Sequence, residues 1–220
     1  GLGSLTRHLA AKAKRVIAVE IDKALVTLLR QNTREFRNVE IVEKDIFKLK
    51  IEDYFAGAYE VVANIPYYLT SNLIRYLLEA NPTPKKFALT VQAEVAERAC
   101  ASPPEMSLLA LSVQLYGAPR ITLRIPAGAF FPVPKVDSAL LVVDLYTQPA
   151  LPRTSIDLFF RIAKAAFGQK RKILANSLAA LPGWSKQSSV ERLERAGIDP
   201  SRRPQTLSIA EWGKLLEMAD

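Results

Sequence analysis

Asn64-Ile65-Pro66-Tyr67-Tyr68 places an amide, a proline and two aromatics directly after an apolar run, Val61-Val62-Ala63. A helical pattern opens just beyond it, at Thr70-Ser71. The Asn64 side chain offers a carbonyl acceptor. Pro66 fixes its own backbone, donates no N–H and biases Ile65 to an extended shape, so nearby carbonyls can be aimed outward. Tyr67 offers a flat π face. Two acceptors and a ring suit a planar heterocycle bearing an exocyclic amine. The stretch falls at the carboxyl end of a strand, the edge where open α/β sheets bind ligands. The same residues also read as a plain strand-to-helix turn with a Pro stop and a core Tyr.

Three other stretches carry chemistry. Gly1 and Gly3 precede a helix, where glycines let a ligand approach the backbone and use the helix N-terminus. A simple helix-leading turn is the commoner reason for such a pair. Glu20 ends an apolar strand, Val16-Ile17-Ala18-Val19, one helix after the glycines. An acid at that place in a Rossmann-like unit accepts hydrogen bonds from ribose hydroxyls. Asp45 follows the next strand, Val39–Val42, where it can accept from an adenine amino group with Ile46 and Phe47 near the ring. Capping a turn is the ordinary use of such an Asp. Finally, residues 129–138 form a proline-stiffened loop that carries Phe130 and Phe131. One of the two is expected to plug into the core and the other to give a second stacking face.

These residues need a sheet to hold them. Strands and helices alternate from residue 1 to about 117, which indicates a doubly wound α/β sheet. Helices are expected at Ser4 to about Ala13, Asp22 to about Arg34, Thr70 to Glu79, 92–98 and Ser107 to Tyr116. Strands are expected at Val16–Val19, Val39–Val42, Tyr59–Ala63, Lys85–Val91, Ile121–Ile125 and Ala139–Leu145. The first strand reads as a buried parallel strand. The last two are joined by a loop alone and should pair antiparallel, the pattern of a class I methyltransferase sheet. After Pro152 the character turns helical, with helices at about Ile156–Phe167, Lys170–Leu181, Ser189–Ala196 and Ser208–Met218. The expected division is a domain at 1–150 and a small helical domain at 151–220.

Composition narrows the chemistry. The 220 residues carry 30 Lys+Arg, 22 Asp+Glu and a net charge of +8, which favours a polyanionic partner. Residues 151–220 hold 12 Lys+Arg against 7 Asp+Glu. Arg161, Lys164, Lys170, Arg171 and Lys172 cluster there and suit phosphate contacts, although a solvated helical face accounts for several of them. A single His makes a His-based metal site or a Ser-His-Asp triad improbable, and no metal is expected. A single Cys excludes an internal disulfide framework and fits a reducing, cytoplasmic compartment. No apolar run approaches the ~18 residues of a membrane span.

GLGSLT, VEID, KDIF, NIPYYLTSNLI, VQAEVAERACASP, FFPVPKVDSALL and FGQKRKILANSLAAL occur in that order. The chain closely resembles the KsgA-type ribosomal RNA adenine dimethyltransferases over essentially its whole length. The resemblance implies a class I methyltransferase, Rossmann-like sheet with a small C-terminal α-helical domain. It implies S-adenosylmethionine as cofactor, and dimethylation of two adjacent adenines in the 3′-terminal hairpin loop of small-subunit ribosomal RNA, late in subunit assembly. Gly1 and Gly3 match the cofactor loop, Glu20 the ribose acid and Asp45 the adenine acid. Asn64 and Pro66 match the target-amine site, with Asn64 also beside the cofactor, and Tyr67 and Phe130 match the aromatics that bracket the base. The implied partners are small-subunit ribosomal RNA and the pre-mature small subunit, met by a monomer with no membrane contact. The family's chains begin a few dozen residues earlier, so the sequence is expected to be a fragment truncated at its N-terminus. An Erm-like enzyme acting on large-subunit RNA, and a non-catalytic assembly or transcription factor on the same fold, are the alternatives.

Overall fold

The computed structural model describes residues 1–169 and 171–219. The chain divides into two compact units, Gly1–Tyr59 with Glu79–Pro84, and Glu60–Leu78 with the residues from Lys85 onward.

In the first unit, α1 (Ser4–Ala10), β1 (Val16–Glu20), α2 (Lys23–Thr33) and β2 (Val39–Glu43) follow one another. β1 and β2 pair in parallel from Val16↔Val39 to Glu20↔Glu43, with α2 as the crossover. Asp22 starts α2 by accepting from the amides of Ala24 and Leu25. The Asn38 amide donates to the carbonyls of Ala10 (2.8 Å) and Ala13 (2.9 Å), which closes the end of α1 over the start of β2. That cap stops α1 at Ala10, three residues short of the expected end. β1 is half-buried along its whole length rather than buried, because among the described residues only β2 pairs with it.

The second unit holds β3 (Glu60–Asn64), α3 (Thr70–Leu78), β4 (Lys86–Gln92), α4 (Ala93–Cys100), α5 (Leu108–Gln114), β5 (Gly117–Ile125) and β6 (Ser138–Leu145). Its sheet has the order β3-β4-β6-β5. β3 runs parallel to β4, and β6 is antiparallel to both β4 and β5, as expected of the final pair. Phe87, Leu89 and Val91 alternate into the core against Leu141 and Val143. β5 begins at Gly117, four residues before the expected Ile121. It is an outer strand, so Pro119 forfeits no ladder bond the sheet needs. Gly117 is required where it stands, since a Cβ there would lie 2.6 Å from the Asp144 carbonyl oxygen.

α6 (Ile156–Phe167), α7 (Leu174–Leu178), α8 (Lys186–Arg195) and α9 (Ile209–Glu217) complete the unit. They share one core with α5: Leu111 and Leu115 pack in the same cluster as Phe159, Ile162 and Trp212. Trp212 is fully buried, with Phe159 edge-on at 6.3 Å and Phe167 stacked at 6.2 Å. α7 is much shorter than expected. The Lys172 amide donates to the Gln169 carbonyl at 2.8 Å and Ile173 is extended, so the helix starts only at Leu174, and it ends at Leu178 with Ala179 as its cap.

Candidate active site

Asn64 is the last residue of β3 and pairs with Thr90 of β4. Its side chain is exposed and makes no hydrogen bond among the described residues. Pro66 has φ −57° and ψ 136°, and its carbonyl accepts from the Leu69 amide at 3.0 Å. That bond closes the turn leading into α3. The Ile65 carbonyl has no such partner among the described residues. The turn therefore leaves two unengaged acceptors in succession, the Asn64 carboxamide oxygen and the Ile65 carbonyl oxygen.

Tyr67 is half-buried, and its hydroxyl lies 2.7 Å from Ser138 Oγ at the start of β6. Ser138 is fully buried and pairs across the sheet with Gln92 and Ile125. The Tyr67 ring is thus fixed to the sheet by its tip, while Tyr68 points to solvent at 80% exposure.

The same β6 end anchors the aromatic loop. Asp137 accepts the Ala127 amide on Oδ1 at 2.9 Å, and its carbonyl accepts the Ala93 amide at 2.9 Å. The Phe130 amide donates to the Ala127 carbonyl at 3.1 Å. Phe130 is half-buried and Phe131 is fully exposed. The inward ring of the pair is therefore Phe130, and neither ring is buried in the core.

Of the residues expected to hold a cofactor, Gly1, Gly3, Glu20 and Asp45 lie in the first unit and Asn64 in the second. Gly3 has φ +93°, a left-handed conformation that favours glycine, and a Cβ there would come within 2.9 Å of Leu29 Cδ1. Glu20 accepts the amides of Ile21 (2.8 Å) and Asp22 (3.0 Å) on Oε1, and its Oε2 meets the Gly1 amino group. Burial pushes the Glu20 carboxyl up, but the hydrogen bonds it accepts, the Asp22 amide foremost, outweigh it and hold its pKa below the ordinary value. An ionised acceptor at the end of β1 fits a ribose diol. Asp45 follows β2, whose end is tied to β1 by the Lys44 amide on the Glu20 carbonyl at 3.0 Å. Asp45 Oδ1 caps the turn at Phe47, at 3.0 Å, which leaves the other oxygen for an amino group. Acids at two adjacent strand ends, Glu20 and an Asp45 with one oxygen spare, fit an adenosine cofactor.

Arg161 and Lys164 stand exposed on α6, opposite its buried Phe159, Ile162 and Ala163. Arg171 and Lys172 are exposed in the turn that follows, and Lys170 lies outside the described residues. Sequence reasoning missed the positioning roles of Asp137 and Ser138. Their signal is an Asp-Ser pair between a proline-rich loop and an apolar strand.

The family model for ribosomal RNA adenine dimethylase matches residues 1–219. A Dehalococcoides mccartyi protein named ribosomal RNA small subunit methyltransferase A is 43% identical over 98% of this chain and 75% of its own length. One of the same name from Alkaliphilus oremlandii is 39% identical over 98% and 78%. Among solved structures, a dimethyladenosine transferase from Plasmodium falciparum is similar at TM-score 0.84 and 26% identity, over 100% of this chain and 87% of that one. The 23S rRNA methyltransferase ErmE is similar at TM-score 0.79 and 26% identity, over 99% and 87%.

Proposed function

This chain belongs to the ribosomal RNA adenine dimethylase family, and from that premise we propose that it dimethylates the N6 amines of two adjacent adenines in the 3′-terminal hairpin loop of small-subunit ribosomal RNA. Its fold is the class I methyltransferase α/β fold. Small-subunit RNA is the substrate named for its relatives at 36–43% identity.

The observation that carries the chemistry is the pair of unengaged acceptors, Asn64 Oδ1 and the Ile65 carbonyl, beside a Tyr67 ring held by Ser138. An exocyclic adenine amine is a weak nucleophile, because its lone pair is delocalised into the ring. Asn64 Oδ1 and the Ile65 carbonyl accept its two N–H bonds, so the lone pair localises on nitrogen. Pro66 keeps both acceptors aimed by fixing the turn. Bound S-adenosylmethionine supplies an electrophilic methyl on a sulfonium. With that donor bound, the amine nitrogen aimed by Asn64 and Ile65 would take the methyl as the thioether leaves, and its proton would pass to solvent. No strong base is needed for that last step, because alkylation makes the proton acidic.

Glu20 holds the cofactor ribose, Asp45 its adenine, and the Gly1–Gly3 turn the main-chain approach. Tyr67 and Phe130 stack on the extruded base, at about 1–3 kcal/mol per stack, which offsets the cost of unstacking it. Holding the amine in attack geometry supplies several kcal/mol more. Arg161, Lys164, Lys170, Arg171 and Lys172, on the helical part at 151–220, bind RNA phosphates. The protein acts as a cytoplasmic monomer on the pre-mature small subunit.

The test is Asn64→Ala assayed with S-adenosylmethionine and small ribosomal subunits that lack the modification. Loss of methyl transfer with cofactor binding intact supports the scheme. Turnover at the wild-type rate contradicts it.

A further inference from the structure

Phe131 is the large apolar side chain most open to water among the described residues, at 101% exposure. Burial of such a ring is worth about 1.5–3 kcal/mol, and a pliable loop would fold it back onto the protein. This loop lacks that freedom. Pro126, Pro132 and Pro134 fix their own φ, and Asp137 and Ala127 hold the amides of Ala127 and Phe130. Phe130 is extended at φ −113° and ψ 153°, so successive side chains point to opposite sides. Phe130 turns inward and Phe131 outward.

The surroundings indicate what the ring meets. Val133 and Val136 extend the apolar surface at 64% and 45% exposure. Lys135 lies between them, exposed and without an ion pair among the described residues. A rigid exposed aromatic with an exposed cation four residues on in the same loop offers what single-stranded nucleic acid recognises, a ring for a base and a charge for a phosphate. The loop leaves β6 beside Ser138, which holds Tyr67, so the ring is tied to the same strand end as the target-amine turn.

We propose that Phe131 is a stacking platform for the nucleobase next to the methylated adenine, with Lys135 opposing the adjoining phosphate. This rests on the methyltransferase reading above. Extruding the target adenine strips its neighbour of a stacking partner, and Phe131 replaces it. The platform stabilises the splayed RNA and takes no part in methyl transfer. Its removal therefore acts on KM for RNA and not on kcat.

The experiment uses the full chain with S-adenosylmethionine and small ribosomal subunits reconstituted without the modification. 2-Aminopurine replaces the base beside the target adenine and reports stacking by its fluorescence. Phe131→Ala raises the RNA KM about tenfold, leaves kcat and cofactor Kd within about twofold and abolishes the binding-induced fluorescence change. Phe131→Trp restores the KM and the fluorescence response. The thermal midpoint stays at the wild-type value in both, since the ring is fully exposed. A Phe131→Ala protein with wild-type KM and fluorescence response overturns the platform and leaves the methyltransferase reading standing. A wild-type protein that methylates neither adenine of these subunits overturns both.

Discussion

Ser138 has no reacting atom to touch, yet its hydroxyl sets where the Tyr67 ring lies. Losing one neutral hydrogen bond costs about 1 kcal/mol, or roughly fivefold in rate. Ser138→Ala and Tyr67→Phe should each lower kcat/KM by about fivefold, and the double variant should fall no further, because both remove one interaction. Steady-state kinetics on the four proteins checks this, and additive losses would separate the two residues. Asn64→Ala should lower kcat by at least about a hundredfold, since it removes an acceptor realised most fully as charge develops on the amine. Cofactor Kd, read by calorimetry, should stay within about twofold. Glu20 has a lowered pKa and therefore stays ionised through the neutral range. Cofactor affinity should be flat there and weaken about tenfold in Glu20→Gln. Asn64, Tyr67 and Glu20 were legible because each sits within a few residues of a strand end that hydrophobic patterning locates. The Tyr67–Ser138 hydrogen bond was not, because 71 residues separate the pair and spacing along a chain does not give distance across a sheet.

Elements whose signals are local were read well. α6 spans Ile156–Phe167 as its apolar periodicity predicts, and α2 follows its Asp22 cap. The misreadings fall where tertiary context overrides a local signal. The strand expected at Ile121–Ile125 instead starts at Gly117, where close packing on Asp144 and an outer-strand position make Gly and Pro admissible. Gly117→Ala should cost about 1–3 kcal/mol in chemical denaturation, the range for overpacking. α9 opens with a capping box, Ser208 and Glu211, and Glu211 also takes Arg202, which in turn holds Thr206. The Arg202 hydrogen bond comes first among the causes, burial opposes it, and the Ser208 amide and hydroxyl add to it. Together they lower the Glu211 carboxyl to about 2 from 4.5. A depressed carboxylate contributes stability above its unfolded pKa and loses it as pH falls through the folded one. Stability should therefore decline from about pH 4.5 toward 2, by on the order of 2 kcal/mol after solvent screening. Glu211→Gln should flatten that part of a pH–stability curve measured by urea denaturation.

At the scale of the whole molecule, a net charge of +8 and a basic exposed face on α6 and the turn after it suit a long polyanion. Replacing Arg161, Lys164, Arg171 and Lys172 together by Ala should weaken RNA binding across sequences. It should also reduce the slope of log affinity against log salt by about 0.7–0.9 for each phosphate that is no longer neutralised. Cofactor affinity should not change. Composition announced the polyanion, while the identity of the RNA came from motifs and relatives, since charge alone carries no sequence information. The most direct measurement supplies the full chain with tritiated S-adenosylmethionine. Small ribosomal subunits and large-subunit RNA, both from a strain lacking the modification, are offered separately, and the label is mapped by nuclease digestion and mass spectrometry. Dimethyladenine at two adjacent positions in the small-subunit 3′-terminal loop is the predicted result. Label confined to large-subunit RNA, or RNA binding with no methyl transfer to either, would contradict it.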